Sequence, residues 1–247
     1  AVGIIVGSTI FFTLFGLESW RILTCLWALI PLYNIFNFAT CPIEPIVQDS
    51  EGLSMSQLLK NRMFWIFIIL MVAAGASEST MAQWTSAFAE ASLGVDKAIG
   101  DLAGPCGFAF CMGISRLWYG KKGQDLDLSS YMIVSGILCV VAYLTASLSS
   151  VPLISFAGCM ISGLAVGIMW PGSISITSAR IPGGGTALFA LLALAGDLGG
   201  TLGPSLVGFC TESESDIQSG ILAASIFPII LIVSLVLIRY RRVKAIK

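Results

Sequence analysis

Long apolar runs separated by short polar breaks repeat along the whole of this chain. Each run has roughly the 17–25 residues that a helix needs to cross a bilayer. Backbone polar groups in lipid must be satisfied within their own segment, so each run is predicted to be an α-helix. The pattern predicts an all-α, polytopic membrane helix bundle of about eight transmembrane helices, at residues 1–17, 20–39, 63–82, 98–118, 129–148, 152–177, 185–209 and 219–238.

The composition supports this membrane assignment and narrows the chemistry. Of the 247 residues, 56% are hydrophobic and only 11% are charged, whereas a soluble domain carries about 25% charged residues. The net charge of −1 gives no indication of nucleic-acid binding. Histidine is absent and the seven cysteines form no C-x-x-C pair, so no metal site or disulfide framework is predicted.

The basic residues predict the orientation. Eight spans place both ends of the chain on one side, and 11 of the 13 basic residues then fall on that side, leaving only Arg21 and Lys97 opposite. The positive-inside rule makes that side cytoplasmic, with a cytoplasmic C-terminus in a multi-pass cell (inner or plasma) membrane protein. The opposite loop 211–220 is acidic, as expected. The 11 residues are Lys60, Arg62, Arg116, Lys121, Lys122, Arg180, Arg239, Arg241, Arg242, Lys244 and Lys247.

The longest polar break divides the chain. Residues 41–62 are predicted to form a cytoplasmic central loop, with two spans before it in residues 1–40 and six after it in residues 63–247. Because the chain begins inside an apolar run, we interpret it as a fragment of a longer, twelve-helix protein. The six later spans would form a complete half of that protein, ending in the basic tail.

Two carboxylates lie inside apolar runs, Glu78 and Asp197. A charged side chain at the bilayer centre costs roughly 2.5–3.5 kcal/mol on insertion scales and usually marks the path of an ion or substrate. With no histidine, any proton carrier here must be a carboxylate. Both residues are therefore predicted to bind protons or substrate, although a neighbouring helix hydroxyl can also satisfy a buried Asp197.

Three further side chains are candidates for substrate binding. Gln83 and Trp84 follow Glu78 on neighbouring helix positions, and an amide beside an indole suits a sugar. Trp84 lies near the end of its apolar run. Its position is therefore explained equally well by substrate binding and by the belt of aromatic residues at the membrane interface. Trp170 lies deep in its run before a kinking Pro171 and can face either a central cavity or the core.

Three stretches resemble the major facilitator superfamily. GISRLWYGKKG (residues 113–123) is similar to the family's short basic loop, with Leu117 at the family's Asp position. GLAVGIMWPGSISIT (163–177) and GDLGGTLGPSLVG (196–208) are similar to the tenth and eleventh helices of its sugar and fucose–proton symporter-like branch. The resemblance covers nearly the whole chain and implies a C-terminal half plus the last two helices of an N-terminal half. Candidate gating or hinge residues are Gly113, Arg116, Gly120, Lys121, Gly184, Gly200 and Pro204.

The resemblance implies a secondary active transporter that moves a small polar solute, such as a sugar, by alternating access coupled to protons. It implies no cofactor beyond the proton gradient, the lipid bilayer and a small-molecule substrate as partners, and a monomer when full length. The sequence contains no H-E-x-x-H zinc motif and no phosphate-binding G-x-x-x-x-G-K-[ST] loop, so neither an enzyme nor a primary pump is predicted. The alternatives are a uniporter or antiporter whose carboxylates bind substrate without moving protons, an exporter of apolar compounds or drugs within the same superfamily, and a non-transporting membrane scaffold or receptor.

Overall fold

The computed structural model describes residues 2–42, 52–94, 97–123, 126–211 and 217–246. Every regular element among these residues is a helix, which confirms the all-α prediction. A 3₁₀ turn at Leu17–Ser19 joins the first two helices. The α-helices are α1 Val2–Phe15, α2 Trp20–Thr40, α3 Met55–Lys60, α4 Arg62–Leu93, α5 Lys97–Lys122, α6 Leu128–Leu148, α7 Pro152–Val166, α8 Met169–Arg180, α9 Gly185–Cys210, α10 Ile217–Ala224 and α11 Ile226–Ile246.

Six helical segments of the described chain are long and apolar enough to span a membrane, as expected of a multi-pass membrane protein. The predicted number of eight is not confirmed. Helix α1 has only 14 residues, and the part of α5 whose side chains the structure describes is not among the six segments. The six segments are Trp20–Thr40, Arg62–Ala91, Leu128–Leu148, Pro152–Arg180, Gly185–Cys210 and Ile217–Tyr240.

Helix α4 is the centre of the bundle and packs against α5, α7, α8, α9 and α11. Its closest partner is α9, because glycines on both helices bring the two backbones together. A Cβ at Gly75 would collide with the carbonyl oxygen of Gly196, and a Cβ at Gly199 would collide with that of Val72. Small residues allow such close approach where no hydrophobic drive exists between helices in lipid.

Two of the predicted spans are broken in their interior. The span Pro152–Arg180 consists of α7 and α8, which are separated at Gly167 and Ile168, and Pro171 follows this break. The last span divides into α10 and α11 at Ser225, ahead of Pro228. A proline inside a helix removes the hydrogen bond to the residue four positions earlier, so both breaks have a local cause.

The predicted central loop contains a short helix of its own. The hydroxyl of Ser54 accepts a hydrogen bond from the Gln57 amide, and the Gln57 side chain accepts one from the Ser54 amide, which starts α3 with a capping box. The amide of Leu53 donates to the carbonyl of Gly183, which attaches this segment to the turn between α8 and α9. Residues 43–51 of the loop and the acidic residues 212–216 lie outside the described residues.

Candidate functional site

The centre of the candidate site is an ion pair between α4 and α5. Glu78 lies near the midpoint of the 32-residue helix α4, about 24 Å along its axis from Arg62. Its Oε1 is 3.5 Å from Nη2 of Arg116, which lies in the second half of α5. The side chains of Glu78 and Arg116 are 24% and 46% exposed respectively, so the pair is partly buried.

The break between α7 and α8 explains the second contact of Arg116. In a continuous helix the amide of residue 171 would donate to the carbonyl of Gly167, but Pro171 has no N–H. The Nε of Arg116 donates to that carbonyl instead, at 3.1 Å. The guanidinium therefore connects the middle of α4 to the α7–α8 break, which lies near the middle of the span Pro152–Arg180.

The second carboxylate oxygen of Glu78 lacks a partner. Its Oε2 is buried and accepts no hydrogen bond from the described residues. Leaving a buried polar atom unpaired costs about 1–3 kcal/mol, and more for a charged group. Protonation at Oε2 would remove the cost of a buried negative charge, and a hydroxyl group of a ligand could donate a hydrogen bond to this atom.

Asp197 lies at the midpoint of α9, on an exposed face of that helix. Its depth is close to that of Glu78, because the preceding Gly196 touches Gly75 of α4. Among the described residues its carboxylate forms no hydrogen bond or ion pair, so the structure does not join it to Glu78. Thr201 and Ser205 continue the same exposed edge at intervals of one turn.

Trp170 lies beside Asp197 through the packing of α8 on α9. The half-buried indole covers Gly196, where a Cβ would come within 3.1 Å of the ring nitrogen. Because Gly196 has no side chain, the Trp170 ring has space to lie against α9. Trp170 and Asp197 therefore border the same part of the bundle, at the depth where α4, α8 and α9 meet.

Trp84 and Gln83 lie further along α4, towards the end at Leu93. The Nε1 of Trp84 donates to the carbonyl of Pro204 in α9 at 3.1 Å, and its ring approaches Gly208. Trp84 therefore fastens α4 to α9, and Pro204, predicted as a hinge, is the residue that accepts this bond. Gln83 is exposed.

The stretch predicted to be a basic loop, residues 113–123, lies almost entirely within α5. Arg116 is therefore a helical residue that faces Glu78, and not a loop residue. A Cβ at Gly113 or Gly120 would meet nothing within 4 Å, so neither glycine is required for close packing. Lys121 is exposed in the last turn.

The other two hinge candidates lie at the start and middle of α9. Gly184 has an ordinary helical backbone, whereas its neighbours Gly183 and Gly185 have φ angles of 78° and 57°. This left-handed region favours glycine, so the turn depends on Gly183 and Gly185. Gly200 faces α4, where a Cβ would lie 3.0 Å from the hydroxyl of Ser79.

Sequence reasoning missed the Glu78–Arg116 pair and the role of Gly167. One signal was available, because Pro171 implies that the carbonyl of residue 167 needs another donor. The identity of that donor depends on how α5 packs, which no local pattern encodes.

Comparisons with known proteins add no identification. No family model matches the chain, and no curated protein or solved structure matches it significantly.

Proposed function

We propose that this protein is a secondary active transporter, resembling the major facilitator superfamily, that moves a small polar solute such as a sugar together with protons. The observation that carries the proposal is the network of Glu78, Arg116 and the Gly167 carbonyl. Secondary transporters bind substrates and coupling ions near the membrane midplane, often at discontinuous helices. Here an intramembrane ion pair contacts such a helix, near the midpoints of two spans.

The network provides a route from protonation to helix movement. A proton bound at Glu78 Oε2 removes the negative charge that attracts Arg116 across 3.5 Å. Arg116 then remains bonded to Gly167 alone. The ion pair then no longer joins α4 to α5 and to the α7–α8 break, so the equilibrium position of α4 relative to them can change.

The solute would bind on the neighbouring surface formed by Trp170 and Asp197. The exposed Asp197 carboxylate offers acceptors to a polyhydroxylated solute. The hydroxyls of Thr201 and Ser205, which donate to carbonyls of their own helix at 3.1 and 2.7 Å, can also accept from it. The indole of Trp170 offers an apolar surface for its C–H groups. This arrangement favours a small polar solute as the cargo.

The proposal is tested by adding a panel of sugars to energy-depleted, lightly buffered cells that express the protein from its complete gene. Symport takes up protons with the solute, so one sugar should make the external medium more alkaline. Glu78→Gln should abolish this signal, because an amide cannot carry the proton. The same variant should still exchange labelled sugar between the two sides, since exchange requires no net proton movement.

Glu90→Gln provides the matched control, because Glu90 is an exposed carboxylate three turns further along α4. It should retain the alkalinisation. An equal pH signal in wild type and Glu78→Gln would refute the assigned role of Glu78. No pH signal with any sugar, in a correctly inserted wild-type protein, would refute sugar–proton symport.

A further inference from the structure

A lateral groove lies between α5, α6 and α7, and Ser115 in its wall packs against Gly167 of the Glu78 network. It encloses about 220 Å³, and its wall is largely apolar. Val134 and Ile114 are exposed at its sides, so it opens to the surroundings of the bundle. The lining residues are Ile114, Ser115, Trp118, Tyr131, Val134, Ser135, Leu138 and Leu164.

The groove contains one unsatisfied polar group. Ser115 is 5% exposed, and its hydroxyl has no hydrogen-bond partner among the described residues. A buried hydroxyl normally finds a partner, because leaving it unpaired costs about 1–3 kcal/mol. The groove is suited to a mostly apolar occupant, and an oxygen acceptor on that occupant would give the Ser115 hydroxyl a partner if the side chain turned from Gly167 towards the groove.

The mouth of the groove has the character of a membrane interface. The ring of Tyr131 lies 5.3 Å from that of Trp118 and 5.8 Å from that of Tyr119. Trp and Tyr concentrate at the level of lipid headgroups. Lys121 and Lys122 follow Trp118 by three and four positions, so they continue the same face of α5 beyond the aromatic rings.

Among the residues that the structure describes, the charges around the mouth are mainly positive. Lys121 and Lys122 are exposed, and Arg239 donates to the hydroxyl of Ser130 at 3.0 Å. Among the described residues of the α5–α6 connection the acidic group is Asp127, which caps the start of α6 by accepting from the Ser130 amide, whereas Asp125 lies outside the described residues. Lys121 lies about 9 Å along the helix axis from Ser115. A phospholipid could therefore place its headgroup at Lys121 and its glycerol ester at Ser115.

We propose that this groove binds one anionic phospholipid. An acyl chain lies along Ile114, Val134 and Leu138, a glycerol ester oxygen accepts from Ser115, and the headgroup phosphate contacts Lys121 and Lys122. Charge complementarity at the mouth selects an anionic lipid over a zwitterionic one. The lipid proposal does not depend on the proposed transport function, although Ser115 in the groove wall packs against Gly167 of the Glu78 network.

Native mass spectrometry of the full chain in mild detergent tests this, with phosphatidylglycerol and phosphatidylcholine of identical acyl chains added in turn. We expect one phosphatidylglycerol to be retained preferentially. The double substitution Lys121→Gln and Lys122→Gln should reduce that preference by roughly tenfold to thirtyfold. The control is Lys60→Gln with Arg62→Gln, which removes two positive charges elsewhere at the same end of the bundle. This control should leave the preference for phosphatidylglycerol unchanged.

A second pair of variants tests the groove itself. Val134 and Val141 are both exposed on α6, at 62% and 53%, but only Val134 lines the groove. Val134→Phe should reduce lipid retention severalfold, and Val141→Phe should not. Equal retention of the two lipids by the wild-type protein would overturn the proposal. An equal loss of lipid preference in the Lys121→Gln/Lys122→Gln and Lys60→Gln/Arg62→Gln variants would also overturn it. So would equal retention by Val134→Phe and Val141→Phe.

Discussion

At the scale of single residues, Arg116 should contribute more to stability than the carboxylate it pairs with. Arg116→Met removes the donor to Gly167 and also leaves Glu78 without its counter-ion. Glu78→Gln removes the charge but leaves Arg116 bonded to Gly167. We expect Arg116→Met to lower the free energy of unfolding by about 1–3 kcal/mol, and Glu78→Gln by less than about 1 kcal/mol, since the pair is partly exposed.

Unfolding by SDS titration in mixed micelles measures both values, and the double variant provides the internal control. Once Arg116 is replaced, neutralising Glu78 removes an unpaired charge, so the double variant should be no less stable than Arg116→Met alone. Additive losses from the two substitutions would mean that the side chains do not interact. If Arg116→Met and Glu78→Gln lowered the free energy of unfolding equally, the bond from Arg116 to Gly167 would not contribute to stability as proposed.

At the scale of helices, the contact between α4 and α9 depends on the absence of side chains. Gly199→Ala places a Cβ against the backbone of Val72 and Ala76, where no flexible side chain can move aside. We expect it to lower the free energy of unfolding by about 1–3 kcal/mol. Gly113→Ala is the matched control, because its Cβ meets nothing within 4 Å, and it should be neutral or slightly stabilising. Equal effects in the same SDS titration would contradict this packing argument.

The sequence predicted most helices but not the contacts between them, for reasons visible in particular residues. Apolar length located the spans, because burial in lipid depends on local composition. It overestimated the length of α1, which has 14 residues, and the predicted span at α5 is not confirmed. Glu78 and Asp197 stood out as charges in apolar runs, whereas the pairing of Glu78 with Arg116 depends on how α4 and α5 align in three dimensions.

At the scale of the whole molecule, two exposed faces of the bundle differ in chemistry. The exposed face of α6 is apolar and includes Val134, Leu138 and Val141. The exposed face of α9 carries Asp197 and Thr201 beside its leucines. Polar side chains at this depth are costly against lipid, so the α9 face requires water or another part of the protein as its neighbour.

Cysteine labelling distinguishes these environments, after the seven native cysteines have been replaced. Thr201→Cys and Val141→Cys lie at similar relative depths in their helices, on the α9 and α6 faces respectively. A thiol reacts as the thiolate, which forms in water and not in lipid. A membrane-impermeant thiosulfonate should therefore modify Thr201→Cys at least about tenfold faster than Val141→Cys, if α9 lines an aqueous pathway. Added substrate should slow the reaction at Thr201→Cys alone, because the solute is proposed to bind beside Asp197. Equal and slow modification at both positions would mean that water does not reach the α9 face, and the proposed solute pathway along Asp197 would be wrong.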